Sequence, residues 1–166
     1  MEKRLKRLIL RPVREEDRKE MHSILTDAQV KKTYMLPDFE TEEQVEKLFL
    51  RFIQLSNHPE RFVRAIALEG KLIGFLNDVG IENGKIELGY VVSPDCWGRG
   101  YCTEALMGAM EWLFEQGFRE VVCGAFEQNK ASIRVMEKAG MEKVNFTEEI
   151  EYREKIHTCV YYSKRK

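Results

Sequence analysis

Val92-Ser93-Pro94-Asp95-Cys96-Trp97-Gly98-Arg99-Gly100-Tyr101-Cys102-Thr103-Glu104-Ala105 is the stretch on which the reading of this 166-residue chain turns. A strand stops before Pro94, the backbone turns through Gly98 and Gly100, and a helix begins at Tyr101. Glycine lets the backbone take positive φ and approach a ligand closely. The first turn of the helix behind it leaves N–H groups unpaired at the positive end of the helix dipole. Together these features suit a phosphate or pyrophosphate. Taken alone, the same residues also describe a turn that merely caps a helix. Two familiar phosphate loops do not fit. A P-loop ends in Gly-Lys-Ser/Thr, which this stretch lacks. The dinucleotide fingerprint needs a third glycine where Thr103 stands, and Glu120, the candidate ribose ligand, opens the next strand instead of ending it.

Upstream of the loop, Phe62–Leu68, Leu72–Val79 and Lys85–Val92 read as three strands joined by the short turns Glu69-Gly70-Lys71 and Glu82-Asn83-Gly84, an antiparallel meander. Ile86, Leu88, Tyr90 and Val92 share one face of the third strand, and Glu87 lies on the other. Downstream, the helix Tyr101–Gln116 carries the stripe Leu106, Ala109, Met110 and Leu113 and stops at Gly117. The strand Glu120–Phe126 follows, and this order implies a right-handed parallel crossover. Asn129–Ala139 is a further helix, with Ile150–Tyr152 and Thr158–Ser163 as late strands.

Ahead of the meander, Leu5–Val13 reads as a strand ended by Pro12. Asp17–Ala28 reads as a helix with Met21, Ile24, Leu25 and Ala28 inward. Thr41 opens another helix with the capping-box spacing to Gln44 and the stripe Val45, Leu48, Phe49, Phe52 and Ile53. The expectation is one mixed α/β domain over residues 1–166, an antiparallel meander followed by a βα crossover.

Composition narrows the function. The chain is 43% hydrophobic and 33% charged, which suits a soluble globular protein. Its 27 basic and 28 acidic residues lack the basic excess of a nucleic-acid binder, so no direct nucleic-acid partner is expected. No apolar run approaches the ~20 residues of a membrane span, and Arg11, Pro12 and Arg14 interrupt any signal-peptide core. Neither membrane insertion nor secretion is expected, and the location is read as cytoplasmic. Cys96, Cys102, Cys123 and Cys159 form no CxxC and lie far from His22, His58 and His157, so reduced thiols and no metal site are expected.

Trp97-Gly98-Arg99-Gly100-Tyr101-Cys102 resembles the acetyl-CoA pyrophosphate loop, Q/R-x-x-G-x-G/A, of the GCN5-related N-acetyltransferases (GNAT superfamily). Asn129-Lys130-Ala131-Ser132-Ile133-Arg134-Val135-Met136-Glu137-Lys138-Ala139-Gly140-Met141 resembles that family's second cofactor segment. Ile86-Glu87-Leu88-Gly89-Tyr90-Val91-Val92 resembles its central strand. Leu10-Arg11-Pro12, Gly100-Tyr101, Thr103-Glu104-Ala105 and Ser132 resemble the RimJ/RimL-type branch. Trp97 and Cys102 depart from the loop pattern. Met136 stands where many relatives carry a tyrosine that protonates the departing thiolate.

The resemblance implies acetyl transfer from acetyl-CoA to a primary amine, either a protein N-terminus or a small molecule, by direct attack in a ternary complex. Cys102 is expected to face the helix packing and not to carry the acetyl group. The loop residues Trp97, Gly98, Arg99, Gly100, Tyr101, Cys102 and Thr103 would hold the cofactor. Val92 would pair its main chain with the pantetheine arm and offer its N–H to the thioester oxygen, and Asn129 would bond that arm or act as a plain N-cap. Ser132 would contact the thiolate. Glu87 would be the base for the amine, with Glu151 its rival and a solvated carboxylate the plain alternative for each. Tyr34, Met35 and Phe39 would border the acceptor pocket or simply pack beneath a loop. A homodimer is compatible with the fold. The alternative from another class is a non-catalytic CoA-binding regulatory or sensing module.

Overall fold

The strands form one sheet in the order β1-β2-β3-β4-β5-β6-β8-β7 in a computed structural model that describes residues 1–166. These strands are β1 (Lys3–Arg4), β2 (Leu8–Arg11), β3 (Val63–Leu68), β4 (Lys71–Glu82), β5 (Lys85–Val92), β6 (Glu120–Phe126), β7 (Glu142–Tyr152) and β8 (Lys155–Arg165). The meander β3-β4-β5 is antiparallel, as its alternation and turns predict, and β5 and β6 are the one parallel pair. Both meander turns take the left-handed backbone at two successive residues, Glu69-Gly70 and Asn83-Gly84, the geometry that matches strand twist.

Helices α1 (Arg18–Leu25), α2 (Ala28–Lys31) and α3 (Glu42–Ser56) cover one face, and α4 (Tyr101–Glu115) and α5 (Lys130–Lys138) the other. Each face has its own core. Ile86, Leu88 and Val92 of β5 join Leu106, Ala109, Met110 and Leu113 of α4 on one side. Phe75 and Val91 join Met21, Phe49 and Phe52 on the other. No helix is long and apolar enough to cross a membrane.

Several elements differ from their expected limits, each for a local reason. The first strand is Leu8–Arg11 rather than Leu5–Val13, because a turn folds β1 back onto β2. The Asp17–Ala28 helix stops at Leu25. Thr26 Oγ1 donates to His22 O at 2.7 Å, and Asp27 caps α2 by accepting from Gln29 N–H at 2.8 Å. Val30, not Ala28, then enters the core. Strand β4 runs past Val79 to Glu82 through a bulge between Asp78 and Gly80. The last two strands are much longer than Ile150–Tyr152 and Thr158–Ser163, and β8 lies between β6 and β7.

Thr41 caps α3 by accepting from Gln44 N–H at 3.3 Å, but Gln44 reaches Glu40 N–H at 2.7 Å and not Thr41 N–H, so the box is displaced by one residue. Thr41→Ala is expected to destabilise the fold by about 1 kcal/mol. The urea midpoint should fall with the slope unchanged.

Candidate active site

The parallel ladder between β5 and β6 runs only from Lys85↔Glu120 to Leu88↔Cys123. Beyond it, β6 stays paired to β8 as far as Phe126↔Cys159, and β5 stays paired to β4 as far as Val92↔Gly74, so the two strands splay apart. Ser93 N–H donates to Ile73 O at 2.7 Å. Antiparallel alternation therefore turns the main-chain groups of Val92 and Tyr90 away from β4 and into the gap. An extended chain laid there would find backbone partners, as an added strand does.

At the far end of β5 the chain passes through the turn Pro94–Cys96 into the glycine loop. Trp97 Nε1 donates to Val92 O at 2.7 Å, so the indole ties the loop to the strand end and occupies one lone pair of that carbonyl. Val92 keeps its N–H toward the gap. Gly98 and Gly100 both take left-handed backbone, with φ of 74° and 77°. Trp97 N–H donates to Pro94 O and Glu104 N–H to Gly100 O, but no main-chain N–H from Gly98 through Thr103 has a protein acceptor. These donors stand at the N-terminus of a 15-residue helix, an arrangement fit for a polyphosphate. A groove of about 850 Å³ runs from Gly100 and Thr103 along α4, rimmed by Arg4, Lys6, Lys138 and Lys164, with Glu104 and Glu111 also reaching it. Cys102 packs against the core beside Tyr101, and burial pushes its thiol up to about 12, away from the thiolate a nucleophile needs.

Across the gap, Asn129 caps α5: its Oδ1 accepts from Ser132 N–H at 3.2 Å, and its amide nitrogen has no protein partner. The cap and a role toward a bound arm are therefore compatible. Ser132 Oγ lies 2.7 Å from Tyr90 Oη, a pairing that neither residue's local sequence announces. Burial is the main cause that holds the Tyr90 phenol well above its ordinary range, with Cys123 and Cys102 adding to it and the Ser132 bond opposing it. Tyr90 therefore stays protonated near neutrality and can donate to Ser132, freeing the serine hydrogen for a partner in the gap. Met136 is fully buried in the core and cannot take the place of the missing tyrosine.

Glu87 projects to the opposite face, since Ile86 and Leu88 on either side are fully buried beneath α4. Its carboxyl is half-buried and held above the ordinary range, first by burial, then by Glu148, with Lys85 opposing. Three residues of strand, about 10 Å, separate it from Tyr90 at the gap, so a proton would reach it through water. Glu148 of β7 pairs with Cys159 and accepts from Tyr161 Oη at 2.6 Å. Gly124 makes this possible, because a side chain there would meet the Tyr161 ring at 2.8 Å. Glu151, three residues on, alternates to the other face and is exposed.

Of the expected acceptor-side residues, Tyr34 turns inward onto Phe75 and donates to Asn77 Oδ1 at 2.7 Å beside Gly89. Phe39 lies under Lys31, and Met35 is exposed. Sequence reasoning missed Asn77 and the tip of the β7-β8 hairpin. Tyr152 Oη donates to Lys31 O, and Arg153 grips Asp38 through two 2.9 Å bonds, so the tip is fastened to the segment between α2 and α3. Tyr90→Phe removes the 2.7 Å contact to Ser132 Oγ and is expected to cost about 1 kcal/mol of stability. A urea titration of the variant beside the parent checks this.

Paired strands part beside a helix N-terminus rich in unbonded N–H groups, an arrangement that suits an extended ligand with a polyphosphate end. A family model for the acetyltransferase (GNAT) domain matches residues 7–142. The chain belongs to the GNAT family and is an acetyltransferase. The uncharacterized N-acetyltransferases YoaA and YnaD of Bacillus subtilis (strain 168) are 25% identical over 142 residues and 28% identical over 145. These alignments cover 82% of this chain and 80% of YoaA, and 85% of this chain and 82% of YnaD. Among solved structures, a GNAT-family acetyltransferase of Bacillus anthracis superposes with a TM-score of 0.86 at 23% identity, covering 99% of this chain and 98% of its own. RimL, a ribosomal L7/L12 α-N-protein acetyltransferase in complex with coenzyme A, superposes with a TM-score of 0.86 at 21% identity, covering 96% and 94%. These likenesses establish the mixed α/β fold.

Proposed function

We propose that this acetyltransferase uses acetyl-CoA and passes the acetyl group to a primary amine by direct attack, within the RimJ/RimL-type branch. The observation that carries the reading is the run of main-chain N–H groups from Gly98 through Thr103 without protein acceptors, at the mouth of the β5-β6 gap. The binding of coenzyme A by RimL supports the choice of ligand.

Acetyl-CoA supplies the acetyl group activated as a thioester. The N–H groups of Gly98, Arg99, Gly100, Tyr101, Cys102 and Thr103 would hold its pyrophosphate, with Trp97 bracing the loop. Val92 N–H and the free amide of Asn129 would flank the pantetheine arm. Val92 N–H, preset in the gap, would also stabilise negative charge on the thioester oxygen. Glu87 takes the proton that the attacking amine sheds. Ser132, held by Tyr90, offers its hydroxyl hydrogen to the sulfur as the carbon–sulfur bond breaks. The sulfur leaves with the bonding pair as a thiolate, and a thiolate whose thiol has an ordinary pKa near 8.5 is only a modest base, so a hydrogen-bond donor suffices. The chain's larger contribution is to fix the two reactants together.

The acceptor is a protein N-terminal α-amine or a small-molecule amine approaching from the Glu87 face. The test is release of free CoA from acetyl-CoA across a panel of N-terminal peptides and small amines, with the product identified by mass. Amine-dependent release supports the reading. CoA binding without release from any amine points instead to a sensing module.

A further inference from the structure

Arg7, in the turn between β1 and β2, lies about 90 residues from the glycine loop in sequence yet touches it repeatedly. Its main-chain N–H donates to Glu104 Oε1 at 2.7 Å and its Nε to Glu104 Oε2 at 2.7 Å. Its Nη1 donates to Arg99 O at 2.8 Å, and its guanidinium stands 4.6 Å from the centre of the Tyr101 ring. Two chemical consequences follow. In a trans peptide the C=O and the following N–H point in opposite directions. Holding Arg99 O toward Arg7 therefore aims Gly100 N–H away from it, to the other side of the loop. Gly100 has no side-chain cap to fix that orientation, and its φ of 77° is one that glycine leaves freely. Second, Glu104 puts a carboxylate in the first turn of α4, beside donors meant for an anion. The Arg7 guanidinium neutralises it with a charge-assisted pair.

Resting on the proposed acetyl-CoA reading, we infer that Arg7 is a positioning residue for the cofactor's pyrophosphate: it presets the Gly100 peptide and cancels the Glu104 charge. The expectation is that Arg7→Met weakens CoA binding about 10- to 100-fold, the range for losing hydrogen bonds to charged groups. Arg7→Lys should not restore it, because a single ammonium cannot bridge the carboxylate and the carbonyl as the planar fork does. Arg7→Met combined with Glu104→Gln should recover part of the loss, the share due to the bare carboxylate.

The measurement is CoA affinity by calorimetry, beside turnover of S-acetylpantetheine, which lacks the pyrophosphate. Arg7→Met should leave kcat/KM for S-acetylpantetheine within about twofold of the unsubstituted protein. Equal losses with both substrates would mean a general structural role and would overturn the inference, as would a folded Arg7→Met that binds CoA normally. Should Arg7→Met not fold, Arg7→Lys decides: full CoA affinity there overturns the inference, and selective loss supports it. If the unsubstituted protein itself fails to bind CoA, the acetyl-CoA reading falls and this inference with it.

Discussion

Gly100→Asp is expected to abolish CoA binding while leaving the fold in place. The residue takes the left-handed backbone at the N-terminus of α4, and a Cβ built there meets only Arg7 Nη2 at 3.4 Å, an ordinary contact. Aspartate is among the few side chains that visit this region, so the strain is about 1–2 kcal/mol. The effect on an anion is larger. One guanidinium cannot neutralise both the new carboxylate, whose Cβ lies 3.4 Å from Arg7 Nη2, and Glu104, so a net negative charge stays beside the loop N–H groups. At about 4 Å from a phosphate such a charge costs about 4 kcal/mol at an effective dielectric of ~20, roughly a thousandfold in affinity. Calorimetric titration with CoA checks the loss, and a thermal melt checks the fold. A folded variant with normal affinity would place the phosphate site elsewhere.

Glu87→Gln is expected to lower kcat by about 10² to 10⁴ with CoA affinity nearly intact. The side chain stands on the sheet face away from α4 and the loop, so cofactor contacts are untouched. Its pH signature has a definite sign. Burial and Glu148 raise its pKa, so the carboxylate that can accept a proton forms only above that raised value. The rate should fall as pH drops through it, and the glutamine variant should lack that limb.

Stability should move oppositely. A carboxyl with a raised folded pKa makes its full stabilising contribution only when protonated, and ionisation near pH 7 costs the folded state. Glu87→Gln should therefore melt no lower than the parent at neutral pH, which separates lost chemistry from lost structure. If it keeps full activity, the rate comes from positioning and the amine arrives already neutral.

Much of this site is legible because its parts are local. A strand end, paired glycines and a helix start between Val92 and Ala105 suffice to predict the loop, and the Asn129 cap follows from residue type and spacing. What is not legible arises from distant pairings. Nothing around Tyr90 or Ser132 announces their 2.7 Å contact, 42 residues apart, and the Arg7–Glu104 pair spans 97. Strand β7 is legible only over Ile150–Tyr152, for another reason. It is a largely exposed edge strand in which Glu148 interrupts the alternating Val144, Phe146, Ile150 and Tyr152, and its pairing shifts between Lys143 and Thr147. The hairpin turn Arg153-Glu154 lacks the Asn or Gly that would mark it, yet both residues take positive φ. Its geometry is held by Arg153 bonding to Asp38, a contact visible only once the chain has folded.

Thermal unfolding with and without CoA shows whether the unbonded N–H groups of the loop bind coenzyme A. A ligand that binds only the folded chain, at about 100 times its dissociation constant, adds about 2.7 kcal/mol of stability. The melting temperature is therefore expected to rise by several degrees with CoA and by much less with pantetheine at the same concentration, which lacks the pyrophosphate. An unchanged melting temperature at millimolar CoA would mean that the loop does not bind CoA.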